Sequence, residues 1–566
     1  WLKPCWLKFS IAARHMSAGS AQAAPVGPVQ GPPLPLQRGS AGEGLVPLRT
    51  GSAANAALVA VISSFLFGYS VCVLDSCGHL IPVIFRWCNS DWQSDCLSSR
   101  VCQGLVNASL HLGAASGAFF SNRRCLAEGG SRLQIIFSDL LFVLGGLMCA
   151  LAQGILFLIL GRLISGIGLG ICAIAAPLYI AEVSPRERRG SCSAMHGVLI
   201  AVGIWASITF GLPQGPPPRS PYQRLEGLDI WYWRLLLGFP VLPALLQAAL
   251  FHWLVPVDPP SFLVLKGRLR QARSVLYQSY GLEAPVTGGK GSKVAFLELQ
   301  FSQLLEASET ARAIPRIRMH QAICDPFLGC ALFLGFALAA FQQLCGVNAL
   351  LSYSNILFEE AGIPPGRLTL ASTFMAAINM MISLLISHVV DHRGRRTLLL
   401  GGALVQAFSM GIIISTAGYF SPSARSLLVV ACFSLFMAGY SAGLGSVMWL
   451  YLTEIYPMEI RGPALRACGV ISWLCSFAVV FWARFLSLLG TCRLFCGVCV
   501  AGFLGIYLWV VETRGCLMDE SPTVPRSAHS SPTPLSPTHM TPSPSGLTFG
   551  VEDVLDSDRA ATMTTT

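Results

Sequence analysis

Charge is scarce in this chain. Asp, Glu, Lys and Arg make up 12% of its 566 residues, about half of the ~25% usual in soluble globular domains. That excludes a water-facing surface for most of the chain. The net charge of +10 is divided into short clusters between apolar stretches, so it gives nucleic-acid binding no support. The chain also has no Cys/His cluster at metal-ligand spacing and no phosphate-binding glycine loop. An enzyme reading, a metal and a cofactor are therefore not expected. Cysteine is plentiful, at 20 residues, but most lie inside apolar stretches, where a thiol serves as a small hydrophobe. The exception is the stretch 77–99, with Cys77, Cys88 and Cys96. A Cys88–Cys96 bridge suits an oxidising exterior, although spacing alone does not assign it.

Apolar residues fill the space that charge leaves. They make up 53% of the chain, and the mean hydropathy is +0.60. Apolar segments fall near 56–76, 100–121, 135–154, 157–180, 193–212, 233–255, 326–347, 367–390, 398–419, 426–451, 464–484 and 492–511. Each approaches the ~20 residues that cross a bilayer core as a helix. Arginine and lysine concentrate after segments 2, 4, 6, 8 and 10, as in Arg123, Arg124, Arg132, Lys266, Arg268, Arg393 and Arg466. By the positive-inside rule those loops and both termini face the cytosol. Asn107-Ala-Ser109 matches a glycosylation sequon but falls inside the second segment, so it is discounted.

One phrase occurs twice. Tyr179-Ile-Ala-Glu182-Val-Ser-Pro185-Arg-Glu187-Arg-Arg189-Gly190 recurs as Tyr451-Leu-Thr-Glu454-Ile-Tyr-Pro457-Met-Glu459-Ile-Arg461-Gly462, and 451 − 179 = 272. An offset near half the chain indicates two similar halves, as in secondary transporters built from internal repeats. The expected organisation is a tail at 1–50, a six-helix bundle at 51–255, a cytoplasmic linker with short helices at 256–325, a second bundle at 326–515 and a Ser/Thr/Pro-rich tail at 516–566. Apolar residues at helical spacing predict an amphipathic helix over 294–313. Ser521, Ser531, Thr533, Ser536, Thr541 and Ser543 each precede a proline and are candidates for proline-directed phosphorylation.

Several motifs then fall in a fixed order. They are Gly161-Arg162, Gln342-Gln343-Leu-Cys-Gly346-Val-Asn348, Asp391-His-Arg-Gly394-Arg395-Arg396 and Val511-Glu512-Thr513-Arg514-Gly515. With these motifs the chain resembles the sugar porter family of the major facilitator superfamily over roughly 55–515. Met195-His196, Lys266-Gly-Arg268 and Trp449-Leu-Tyr451 bring it nearest to apicomplexan-type hexose transporters. The resemblance implies an all-α membrane fold of about twelve helices in two six-helix bundles, acting as a monomer in the plasma membrane on a small sugar.

It further implies that Gln342, Gln343, Asn348, Asn379 and Trp449 fall on sugar-binding positions, with Ile200 and Ile204 as apolar wall. Amides both donate and accept hydrogen bonds, which suits hydroxyls that do the same. Trp473 adds an apolar face for a pyranose ring. Glu182, Arg189, Glu454, Arg461, Arg132, Arg395, Arg396 and Arg162 are expected to form or support gating ion pairs between the halves. The chain departs from the family pattern at Gly197, where a sugar-binding Gln is usual, and at Ser472, where an Asn is common. Ser446 and Met448 stand where prolines often precede Trp449, and the first loop motif around Asn122–Arg132 is eroded. Proton-linked relatives carry an Asp after the Phe67-Gly68-Tyr69 motif, but here Ser70 follows. A serine does not titrate in the working range, which favours facilitated diffusion of a hexose. Asp75, five residues on, keeps a proton-coupled sugar or polyol symporter as the alternative. A non-transporting sugar sensor is the more distant one.

Overall fold

The computed structural model describes residues 53–88, 95–121, 128–184, 189–214, 231–255, 258–280, 292–313, 317–390, 392–416, 418–419 and 421–513. Both tails, the phosphorylation candidates and the arginines at 123 and 124 lie outside them. Among the described residues the chain is helical, without strands. The first half holds α1 (Ala53–Cys77), a short α2 (Ile81–Ile84), α3 (Leu97–Phe120), α4 (Gly130–Ala150), α5 (Ile155–Val183), α6 (Arg189–Thr209), and α7 (Tyr232–Gly238) continued by α8 (Val241–Trp253). Small helices α9 (Pro260–Leu265), α10 (Leu269–Ser279), α11 (Ser292–Ala313) and α12 (Met319–Cys324) follow. The second half holds α13 (Pro326–Leu344), α14 (Val347–Glu360), α15 (Leu368–Val389), α16 (Arg395–Thr416), α17 (Pro422–Tyr440), α18 (Met448–Ile455), α19 (Met458–Ala483) and α20 (Leu488–Trp509).

Among the described residues, ten stretches are long and apolar enough to cross a membrane, with α7–α8, α13–α14 and α17–α18 each acting as one. Helix α6 contains a shorter apolar run, Ala194–Thr209, and α3 covers the apolar segment expected near 100–121. The apolar character of α3 is diluted by Arg100, Gln103, Asn107 and His111. The expected segment at 464–484 is longer than the sequence suggested, because α19 starts at Met458 and carries Pro463 inside it. The second copy of the repeated phrase is therefore a corner: Tyr451–Ile455 ends α18, and Met458 opens α19. In the first copy, Tyr179–Val183 ends α5 and Arg189 opens α6. Cys77 belongs to α1 and is buried, not part of a loop.

Glycine lets the helices touch backbone to backbone. A Cβ on Gly166 would lie 2.1 Å from the Leu110 carbonyl oxygen, and one on Gly113 would lie 2.2 Å from that of Leu163. Gly117 and Gly170 repeat the arrangement one turn further along, so α3 and α5 share a seam of small residues spaced four apart, a packing mode common in lipid. The two halves meet where α3 packs on α19, α6 on α15 and α1 on α14. Away from the bundles, α9, α10 and α11 share a small core around Leu263, Val264 and Ala272. Glu298 of α11 accepts hydrogen bonds from Arg273 and Tyr277 of α10 at 2.8 and 2.5 Å.

Besides a kink at Tyr353 inside α14, two breaks shape the second half. Gly346 has a φ of +97° between α13 and α14, and a Cβ there would lie 2.4 Å from the Phe495 ring. Left-handed backbone suits glycine because a Cβ is strained there. Gly346→Ala should therefore lower the thermal unfolding temperature in detergent and the yield of folded protein. Unchanged melting would contradict this packing. The other break is a π-helical stretch, Ser441–Gly445, between α17 and α18. It bends this span without proline, and the Ser446 hydroxyl donates to the Ser441 carbonyl at 2.8 Å. Such insertions often mark functional sites.

Candidate functional site

Across the break at Gly346, Asn348 at the start of α14 meets the end of α13. Asn348 Nδ2 donates to Gln343 Oε1 and to Ser476 Oγ, both at 2.7 Å. Gln343 Nε2 donates to Ser472 Oγ at 3.0 Å. Gln342 Nε2 donates to the Leu444 carbonyl of the π-helical stretch at 3.1 Å. Asn379 on α15 accepts a short hydrogen bond from Ser441 of that stretch. The structure thus brings Gln342, Gln343 and Asn348 together and ties Asn379 to the same π segment through Ser441. Ser472 and Ser476 of α19 complete the group. Ser476 had no sequence motif to mark it. Unpaired amides in an apolar helix are costly and so converge on one another or on a cavity.

Trp473 follows Ser472 on α19. The Trp473 ring centroid is 5.6 Å from that of Phe67 on α1 and 5.9 Å from that of His111 on α3, so Trp473 spans the seam between halves. Trp449 stands on α18 and is 38% exposed. Gly197 is exposed, and a Cβ placed on it would meet nothing within 4 Å. The space beside Gly197 is open. Ile204 is buried and Ile200 half-buried. Their backbones face Gly68 of α1, whose Cβ would lie 1.9 Å from the Ile200 carbonyl oxygen.

The charged residues were expected to pair across the halves. Among them Glu454 pairs with Arg395, at 3.1 Å, within the second half. Thr513 donates to Glu454 as well. Glu512 accepts from the backbone N–H groups of Arg395 and Arg396 at 2.8 and 3.2 Å. A carboxylate placed at a helix start satisfies free N–H groups and the helix dipole. Arg396 donates to the Tyr507 carbonyl at 2.7 Å, and Arg461 Nε donates to the Tyr456 carbonyl at 2.9 Å. In the first half Ser131 donates to Glu182 at 3.0 Å. Arg132 lies 3.8 Å from Asp258 and donates to the Phe251 carbonyl. Asp258 follows α8 much as Glu512 follows α20, and it faces the Arg132 side chain. The Arg189 side chain lies outside the described residues. Arg162 is buried away from helix ends and donates to the Ser70 carbonyl at 2.6 Å.

Polar bridges between the halves lie at the other end of the bundle. Asp75 of α1 accepts from Ser354 Oγ at 2.6 Å and from Asn355 N at 3.1 Å on α14. Asn355 Nδ2 donates to the Asp75 carbonyl at 2.8 Å, and Ser372 of α15 donates to Asn355 at 2.8 Å. Nearby sequence carries a second clasp. Arg484 at the end of α19 donates to Gln103 at 2.6 Å and pairs with Asp95 at 3.0 Å. Arg100 binds the same carboxylate through two hydrogen bonds. The guanidinium of Arg100, then that of Arg484, holds the Asp95 carboxyl below its ordinary value of 3.8. Asp95 adjoins Cys96, which is bonded to Cys88. Sequence reasoning named neither clasp, although Arg484 and Asp75 stand out as ionisable groups in apolar segments. Both clasps join the two halves at this end of the seam.

The amide and hydroxyl cluster belongs to the second half, and Trp473 beside Ser472 reaches across to Phe67 and His111 of the first. The family model described as "Sugar (and other) transporter" matches residues 56–524. The chain belongs to this sugar transporter family. It is a multi-pass membrane transporter and not an enzyme. It is 30% identical over 482 residues to "Hexose transporter 1" of Toxoplasma gondii, covering 83% of this chain and 82% of that protein. It is 27% identical over 477 residues to "Hexose transporter 1" of Plasmodium falciparum, covering 82% and 91%. Its fold matches the inward open conformation of the xylose transporter XylE from E. coli with a TM-score of 0.65, at 21% identity, covering 83% of this chain and 99% of that one.

Proposed function

We propose that this transporter carries hexoses such as glucose by facilitated diffusion. The carrying observation is the linked group of Gln343, Asn348, Ser472 and Ser476 beside Trp473. It offers several donors and acceptors next to a flat apolar ring, the complement of a pyranose. The relatives named hexose transporters support the same substrate class. Alternating access follows from the two breaks and the two seams. The sugar binds near the middle, and the halves rock about it.

Uniport is favoured by what surrounds Arg162. It contacts the Ser70 carbonyl, with a hydroxyl where a titrating carboxylate would stand. Asp75 is engaged with Ser354 and Asn355. On this reading the arginine-rich helix ends and both termini face the cytosol, and the Cys88–Cys96 bridge faces the exterior of a plasma membrane. The sugar-binding set is Gln342, Gln343, Asn348, Asn379, Trp449 and Trp473, with Ile200 and Ile204 as wall, and one chain suffices. Glu182 with Ser131, and Glu454 with Arg395, brace each half at the cytosolic mouth. Saturable glucose uptake into proteoliposomes should be unchanged by a proton ionophore. Uptake that collapses with the proton gradient would establish the symport alternative instead.

A further inference from the structure

Two buried acceptors at the seam have no partner. Asn107 and His111 stand one helical turn apart on α3 and are almost fully buried. His111 lies against Trp473 of α19, and Asn107 meets Tyr353 of α14. Both therefore face the second half from the first. His111 Nδ1 is 3.3 Å from the Asn107 carbonyl oxygen of its own helix. A carbonyl only accepts, so the ring proton sits on Nδ1 and Nε2 carries a lone pair. Nε2 of His111 and Oδ1 of Asn107 are both without a hydrogen-bond partner. Buried polar atoms are nearly always satisfied, and an exception requires an explanation.

We propose that His111 Nε2 and Asn107 Oδ1 form a second hydroxyl-binding station of the sugar site, and that they determine specificity. The inference rests on the hexose reading above. Two acceptors one turn apart match two hydroxyl donors of one sugar, and the ring of Trp473 lies beside them. Both atoms are covered while α3 is closed on α19, so the station is offered when those helices part. That places it on the exterior-facing side of the cycle. It also supplies hydrogen bonds from the first half, where Gly197 supplies none.

The test is competition of radiolabelled glucose uptake by glucose and a series of monodeoxyglucoses, with the full chain in proteoliposomes. His111→Leu should raise the half-inhibiting concentration of glucose roughly threefold to tenfold. His111→Gln, which keeps an acceptor, should restore most of the loss. One deoxyglucose, lacking the hydroxyl that His111 binds, should compete equally with wild type and His111→Leu. Asn107→Leu should show the same pattern for a different deoxyglucose, and serves if His111→Leu does not fold. An equal shift for every sugar, or no shift at all, overturns the assignment. Absence of saturable wild-type flux would instead defeat the hexose reading itself, so the two failures are distinguishable.

Discussion

Gln343→Ala should lower glucose uptake at subsaturating sugar by about tenfold or more, with the amount of membrane-inserted protein unchanged. Gln343 is the hub of the site. Its carbonyl holds Asn348, and its amide holds Ser472. Truncation removes two hydrogen-bonding groups that a sugar would use, each worth roughly 0.5–1.5 kcal/mol to a neutral partner. It also frees Asn348, which keeps only Ser476 among its side-chain partners here. The fold tolerates the change because Ser472 retains a contact to Gln342 at 3.5 Å. Uptake at the wild-type rate in that variant would remove Gln343 from the sugar site.

The second large effect belongs to Asp75→Ala. The carboxylate holds α14 to α1 across a sequence separation of 279 and 280 residues. Its loss leaves Ser354 with Ser372 and leaves the Asn355 N–H without its acceptor. Two lost hydrogen bonds, at about 1 kcal/mol each, shift the balance between closed and open seams by tens of fold. Hydrogen–deuterium exchange should then speed up across Val347–Glu360 and at the α1 end of the seam. Unaltered exchange in α14 would show that this end is held shut by other contacts. The same variant bears on coupling. In a uniporter its residual uptake stays insensitive to the proton gradient.

Much of the fold was legible because lipid imposes a simple rule. Every backbone polar group must bond internally, so apolar runs of sufficient length become helices. The boundaries were less legible. Pro463 lies inside α19, so it marks no end, and Met458–Gly462 is helix, not loop. That residues 342, 343 and 348 stand out was legible from the motif, because amides in apolar helices are conspicuous, and the structure joins them in one hydrogen-bonded cluster. Ser476 was not legible, since a lone serine in a membrane helix most often bonds its own backbone. The gating residues were the least legible. A sequence shows which ends carry arginine, but not which of two states the halves adopt. Glu454 pairs within its own half, and the bridges between halves are made by Asp75 and Arg484 at the other end. Ion pairs exchange partners through a transport cycle, so their pairing belongs to a conformation as much as to a sequence. Each copy of the repeated phrase runs from one helix into the next, from α5 to α6 and from α18 to α19.

The central claim is that the polar group around Gln343 and Trp473 passes a hexose across the membrane without a proton. Counterflow tests this most directly. Purified full-length protein is placed in liposomes loaded with unlabelled glucose, with equal pH on both sides, and trace radiolabelled glucose is added outside. The account predicts transient accumulation of label above its equilibrium level, abolished by Gln343→Ala and unchanged by an ionophore. Label that never exceeds the level in protein-free liposomes would contradict it.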